Sequence, residues 1–154
     1  MDGRLSLAYG TREGDLFVWR VRGDTSLNDS WWHYRHDERN TGLYGLDTRR
    51  PAAIVDLRRR RGRAITLSWT APGDDYEVGT AARYDVRVSS KPITETSFWR
   101  ASAAAGAPTP RPAGTPQTMR LTLGATGVFY VAIRAIDAAG NISDLGRVVR
   151  VGAG

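Results

Sequence analysis

No cysteine occurs in the 154 residues, which excludes disulfide bridges and thiolate zinc sites, so stability has to come from packing. No run approaches the ~18 consecutive apolar residues of a membrane-spanning helix. Histidine is confined to positions 33 and 36. Lysine is almost missing, Lys91 being the single one among 22 basic residues. An export signal is also lacking at the start, because Met1-Asp2-Gly3-Arg4-Leu5 leads straight into alternating residues without a continuous apolar segment. The chain as written therefore reads as cytoplasmic, and export requires a signal outside it. The formal charge of +6 suits an anionic partner. An arginine excess beside abundant Ala and Gly is, more simply, what GC-rich coding produces.

What is present begins with Ile65-Thr66-Leu67-Ser68-Trp69-Thr70, followed by Ala71-Pro72-Gly73. Apolar side chains alternate with hydroxyls, and a pleated strand sends the two sets to opposite faces. Trp69 is the largest group on the dry face, so a second layer has to cover it. Pro72 and Gly73 end the strand. Around this strand the pattern predicts others. Residues 51–57 read as a proline-led edge strand, and Arg58-Arg59-Arg60-Arg61-Gly62-Arg63 as a solvated turn. Ala82 to Val88 carries Tyr84, Val86 and Val88 on one face, and Phe98-Trp99 reads as a short strand. Ala101 to Gly114 reads as a flexible excursion. Met119, Leu121 and Leu123 point inward from the next strand, and Val128 to Asp137 follows with Phe129, Val131, Ile133 and Ala135 inside and Arg134 marking the wet face. Residues 148–151 close the sheet.

The first fifty residues read differently. Residues 5–9 and 16–21 make a hairpin, which is marginal alone and leans on something else or self-associates. Arg22-Gly23-Asp24 resembles an integrin-binding tripeptide, a match so short that chance accounts for it. Trp31-Trp32-His33-Tyr34-Arg35-His36-Asp37-Glu38-Arg39-Asn40-Thr41-Gly42-Leu43-Tyr44-Gly45 resembles the stretch that follows the last blade of bacterial secreted β-propellers, which implies that residues 1–50 are a propeller end.

Residues 65–75, the Tyr-Asp-Val-Arg of 84–87 and the Tyr-Val-Ala-Ile-Arg-Ala-Ile-Asp-Ala-Ala-Gly-Asn-Ile-Ser of 130–143 together resemble a fibronectin type III domain. The form is that found at the C-terminal end of bacterial secreted proteins and of the calcium-activated chloride channel regulators. The resemblance covers residues 51–152 and implies an all-β, seven-stranded immunoglobulin-like sandwich over 51–154, with residues 1–50 as a hairpin and linker extension. It places Phe129 where many members have a corner tyrosine. It also implies an extracellular or cell-surface, non-catalytic interaction or spacer module without a cofactor.

Candidate contact residues are Trp19, Trp31, Trp32 and Trp99, aromatic groups suited to a protein or glycan surface, together with Arg58, Arg59, Arg60 and Arg61. The candidate core is Trp69, Leu67, Tyr84, Val86, Leu121, Phe129, Val131 and Ile133. Two alternatives belong to other classes. Residues 58–63 can attract nucleic acid or another anionic surface, against which stands the lack of stacking aromatics beside them. A metal-assisted hydrolase can be drawn from His33, His36 and Asp37 with Asp74 or Asp75, provided that they share a cleft. Asp74, Asp75 and Glu77 supply carboxylates of the kind calcium takes, without the number or spacing of a calcium loop.

Overall fold

The computed structural model describes residues 5–12, 14–21, 47–60 and 64–153, and the chain divides into two compact units, Met1–Thr48 and Arg49–Gly154. In the first unit, β1 (Leu5–Gly10) pairs antiparallel with β2 (Leu16–Val21). The turn between them is closed by Thr11, whose carbonyl accepts the Gly14 N–H and whose hydroxyl accepts the Asp15 N–H. Gly14 takes a φ of 97°, a left-handed value that a side chain would resist.

The second unit is all-β and has the two facing sheets of a β-sandwich. One sheet has the order β3 (Arg58–Arg60), β4 (Ile65–Thr70), β7 (Pro116–Leu121). The other has the order β6 (Ser102–Ala103), β5 (Arg83–Ser89), β8 (Gly127–Ile136), β9 (Val149–Ala153). All neighbouring pairs are antiparallel. The expected alternation holds along β4, where Ile65, Leu67 and Trp69 are buried and Thr70 is exposed. Trp69, 2% exposed, meets Tyr84 of the opposite sheet edge to face, with ring centroids 5.2 Å apart. Leu67, Val86, Leu121, Val131 and Ile133 join them in one apolar cluster, with Phe129 partly buried against it. Burial pushes the Tyr84 phenol above its ordinary value, offset in part by the Trp69 indole beside it.

Four expectations need correcting. Residues 51–57 form no strand. Pro51 makes only an isolated bridge to Tyr76, while Ile54 and Leu57, three apart rather than two, are both buried. The reason lies in Asp56, whose carboxylate accepts the Thr70 N–H at 3.0 and 3.1 Å and the Thr70 hydroxyl at 2.8 Å. A side chain thus satisfies a backbone donor that a neighbouring strand would have taken.

Secondly, Arg58, Arg59 and Arg60 are not in a turn but are themselves the edge strand β3, exposed throughout. Charge on an edge discourages further strands from adding to it. Thirdly, Phe98 and Trp99 lie in a 3₁₀ turn, Phe98–Arg100, and the chain beyond it is not wholly irregular, because β6 pairs with β5. Leu123 lies beyond the end of β7, partly buried against the core.

Fourthly, Arg134 does not mark a wet face. Residues 131–137 are buried on both sides of β8, because the connection after β5 folds back over the outer face of this sheet. Ile93, Phe98 and Ala132 form a second small core there, with Ala101, Tyr130, Leu145 and Val148 packed against it. Tyr130 therefore serves that outer cluster, while Phe129 faces the main core.

Candidate functional site

Around the second core the side chains are unlike those of an ordinary sheet face. Arg134 is 7% exposed, and its guanidinium sits 4.8 Å from the Phe98 ring centroid and 5.5 Å from that of Trp99. It is held by Glu95 at 2.7 Å and donates to the Ser143 carbonyl. Glu95 also accepts the Leu145 N–H, so one carboxylate ties the segment over β8 to the chain leading into β9. On the neighbouring strand, Arg87 grips both oxygens of Asp85 at 2.6 and 2.9 Å and donates to the Ala101 carbonyl. The bonds to Asp85 push its guanidinium further up, against a smaller opposing effect of burial. Arg87 lies 5.7 Å from both Phe98 and Trp99. Phe98 is enclosed, whereas Trp99 remains 49% exposed, a rigid half-covered indole of the kind that anchors contacts.

On the other sheet, Arg58, Arg60 and Arg120 project from the outer face. An open groove of about 540 Å³ runs beside the first two, lined by Asp56, Arg58, Arg60, Ser68, Thr70 and Thr118 among others. Arg58 stands 4.0 Å from Asp56. Arg61, grouped with them in the sequence, lies outside the described residues.

One end of the sandwich gathers the acidic candidates. Asp137 is fully buried, its two oxygens accepting the Asn141 backbone N–H at 2.7 Å and the Asn141 side-chain amide at 2.9 Å. Ser143 accepts the Ala135 N–H and returns its own N–H to the Ala135 carbonyl. Asn141 also donates to the Arg49 carbonyl. Arg49 lies over the Tyr76 ring at 5.1 Å and 4.0 Å from Asp75, which is buried. Burial, then the charge of Asp137, pushes the Asp74 carboxyl up, while the Ala138 N–H works the other way. Glu77 faces water. Among the described residues, no three His, Cys, Asp or Glu side chains come together as metal ligands do. These polar groups lock loops to one another.

In the hairpin unit, Trp19 is 47% exposed and stacks on Phe17 at 5.8 Å with the planes 13° apart. Tyr9, Leu16 and Val18 are exposed as well. Trp31, Trp32, His33, His36 and Asp37 lie outside the described residues. Sequence reasoning missed Arg87, Glu95, Arg120 and Arg134. For Arg87 and Asp85 a signal was available in the opposite charges at i and i+2, which share one strand face. Nothing in the alternation of β8 announced that its polar face would be covered.

No family model matches the chain. The chain is similar to calcium-activated chloride channel regulators. It is 30% identical over 110 residues to calcium-activated chloride channel regulator 1 of Homo sapiens, and 29% identical over the same length to that of Mus musculus, matches that take in 66% of this chain. A shorter stretch of 42 residues is 50% identical to regulator 1 of Equus caballus. The chain spans about 12% of the length of the human and mouse regulators. No helix among the described residues is long and apolar enough to cross a membrane.

Proposed function

We propose that residues 51–154 are a fibronectin type III module that acts without catalysis, as an accessory or spacer unit of a longer protein outside the cytoplasm. The observation that carries this reading is the enclosure of Trp69 between sheets of order β3-β4-β7 and β6-β5-β8-β9, which is how such sandwiches bury their cores. The similarity to one region of the channel regulators supports it. So does the use made of the buried polar groups, since Asp137, Ser143 and Arg134 all hold backbone in place. The exposed rings of Trp99 and Trp19 are the contact points for a protein or glycan surface. Residues 1–50, in the same reading, are the end of a propeller of the bacterial kind, carried by the motif at 31–45.

The test is a chimera of human calcium-activated chloride channel regulator 1 in which the region matched by this chain is replaced by residues 49–154, expressed in secreting cells. An equivalent accessory module gives a secreted, protease-resistant product, while the same chimera carrying Trp69→Ala is retained. Retention or degradation of the unmutated chimera overturns the reading.

A further inference from the structure

The sheet β3-β4-β7 has a second face, and its composition is unusual. Pairing puts Arg60, Thr66 and Arg120 in one row across the three strands, and Arg58, Ser68 and Thr118 in the next. Directly paired residues share a face, and Leu67 and Met119 between these rows point into the core, so both rows point away from it. Thr70 and Pro116 finish this face. It therefore carries three arginines and four hydroxyls, with no aromatic or aliphatic side chain other than the proline among the described residues.

Asp56, the acid that lines the groove among the described residues, is already engaged. Asp56 accepts both the N–H and the hydroxyl of Thr70 and lies 4.0 Å from Arg58. Among the described residues, no carboxylate pairs with Arg60 or Arg120. Strands stand ~4.8 Å apart and rise ~3.4 Å per residue, so Arg60 and Arg120 are rooted ~10 Å apart, and Arg58 and Arg60 ~7 Å apart. These planar forks suit tetrahedral oxyanions. The interleaved hydroxyls both donate and accept, as sugar hydroxyls and ring oxygens require.

We propose that this face binds a sulfated polysaccharide. The site is independent of the accessory-module reading, since it needs only the sheet. Two other polyanions fit less well. Nucleic acid bound without a groove-reading element relies on aromatic rings for its bases, and the face has none. A lipid surface is held by basic residues backed by apolar groups that enter the acyl boundary, and these are missing too. The sequence alone suggested a basic turn, whereas the strand geometry brings in Arg120, sixty residues away, and the hydroxyl rows.

The experiment measures binding of the full chain to immobilised heparin across a salt series. The double variant Arg60→Glu/Arg120→Glu is compared with Arg100→Glu/Arg111→Glu, which makes the same charge change at exposed sites elsewhere. The face variant is expected to weaken binding about tenfold or more at physiological salt and to flatten the salt slope by about two, while the control changes it about twofold at most. Should the glutamate variant fail to fold by circular dichroism, Arg60→Gln/Arg120→Gln is read in its place with the same direction expected. Absence of binding by the unmutated chain overturns the proposal. Equal loss in both double variants also overturns it, because net charge alone then explains the affinity. Undiminished binding to chemically desulfated heparin, or displacement of heparin by single-stranded DNA or phosphatidylserine vesicles at lower anion concentration than by heparin itself, overturns it as well.

Discussion

Asp74 shows how a single side chain reports its surroundings. Its carboxyl is held above the ordinary range by burial and by Asp137. A carboxyl with a raised folded-state value prefers its proton in the folded protein. Its contribution is therefore fully present below the ordinary carboxylate range and is lost as pH rises through the raised value. Asp74→Asn removes the charge and keeps an oxygen for the Ala138 N–H. The variant is expected to melt higher than the parent at about pH 7, with the difference closing at about pH 3, where both side chains are neutral. Melting curves at the two pH values check this, and a difference that persists at the lower pH contradicts it. Nothing about Asp74 was legible as a perturbed group in the sequence, because Asp137 lies 63 positions away and only the fold brings the two together. Trp69 was legible, since a strand of period two with hydroxyls at 66, 68 and 70 leaves one face for the indole.

Among the elements, β8 is buried on both faces over most of its length. Its inner set was evident from alternation, but Arg134 on the other face was misread as exposed. Alternation tells which residues share a side. It does not tell what covers that side, and here the covering layer comes from the 3₁₀ turn at Phe98–Arg100. The arginine edge was misread for a related reason. A run of like charges signals solvent, and an edge strand meets that condition as well as a turn does. The covering layer predicts a graded response. Arg134→Lys keeps the charge but loses the guanidinium's contact over the Phe98 ring and the forked hydrogen bonding, and is expected to cost about 1–2 kcal/mol in urea unfolding. Glu95→Gln should cost about 0–1 kcal/mol, since its side chain is more than half exposed. Equal costs would mean that the ion pair, rather than the contact with the ring, holds the layer.

The whole molecule divides unequally. Both apolar clusters found among the described residues lie within 49–154, whereas the described side chains of the hairpin strands are mostly in water. A two-stranded ribbon of this size has little stability of its own. Residues 49–154 produced alone are thus expected to unfold in one cooperative transition at the melting temperature of the full chain, and a peptide of residues 5–21 to show no strand signal. Calorimetry and circular dichroism test the pair of statements. A lowered melting temperature for the shorter chain would show that the first unit helps to hold the second.

The sandwich also has a direction. Arg49 is bonded to Asn141, next to Ile142, which bridges Ile136 at the far end of β8. The last strand runs the opposite way and brings Ala153 alongside Gly127, where β8 begins. Entry and exit are thus separated by the length of that strand, ~30 Å at the usual rise. Tension applied through these two points would pull β9 lengthwise along its neighbour. The interstrand bonds would then have to yield together instead of peeling apart singly, which is the mechanical behaviour wanted of a link in a loaded tether.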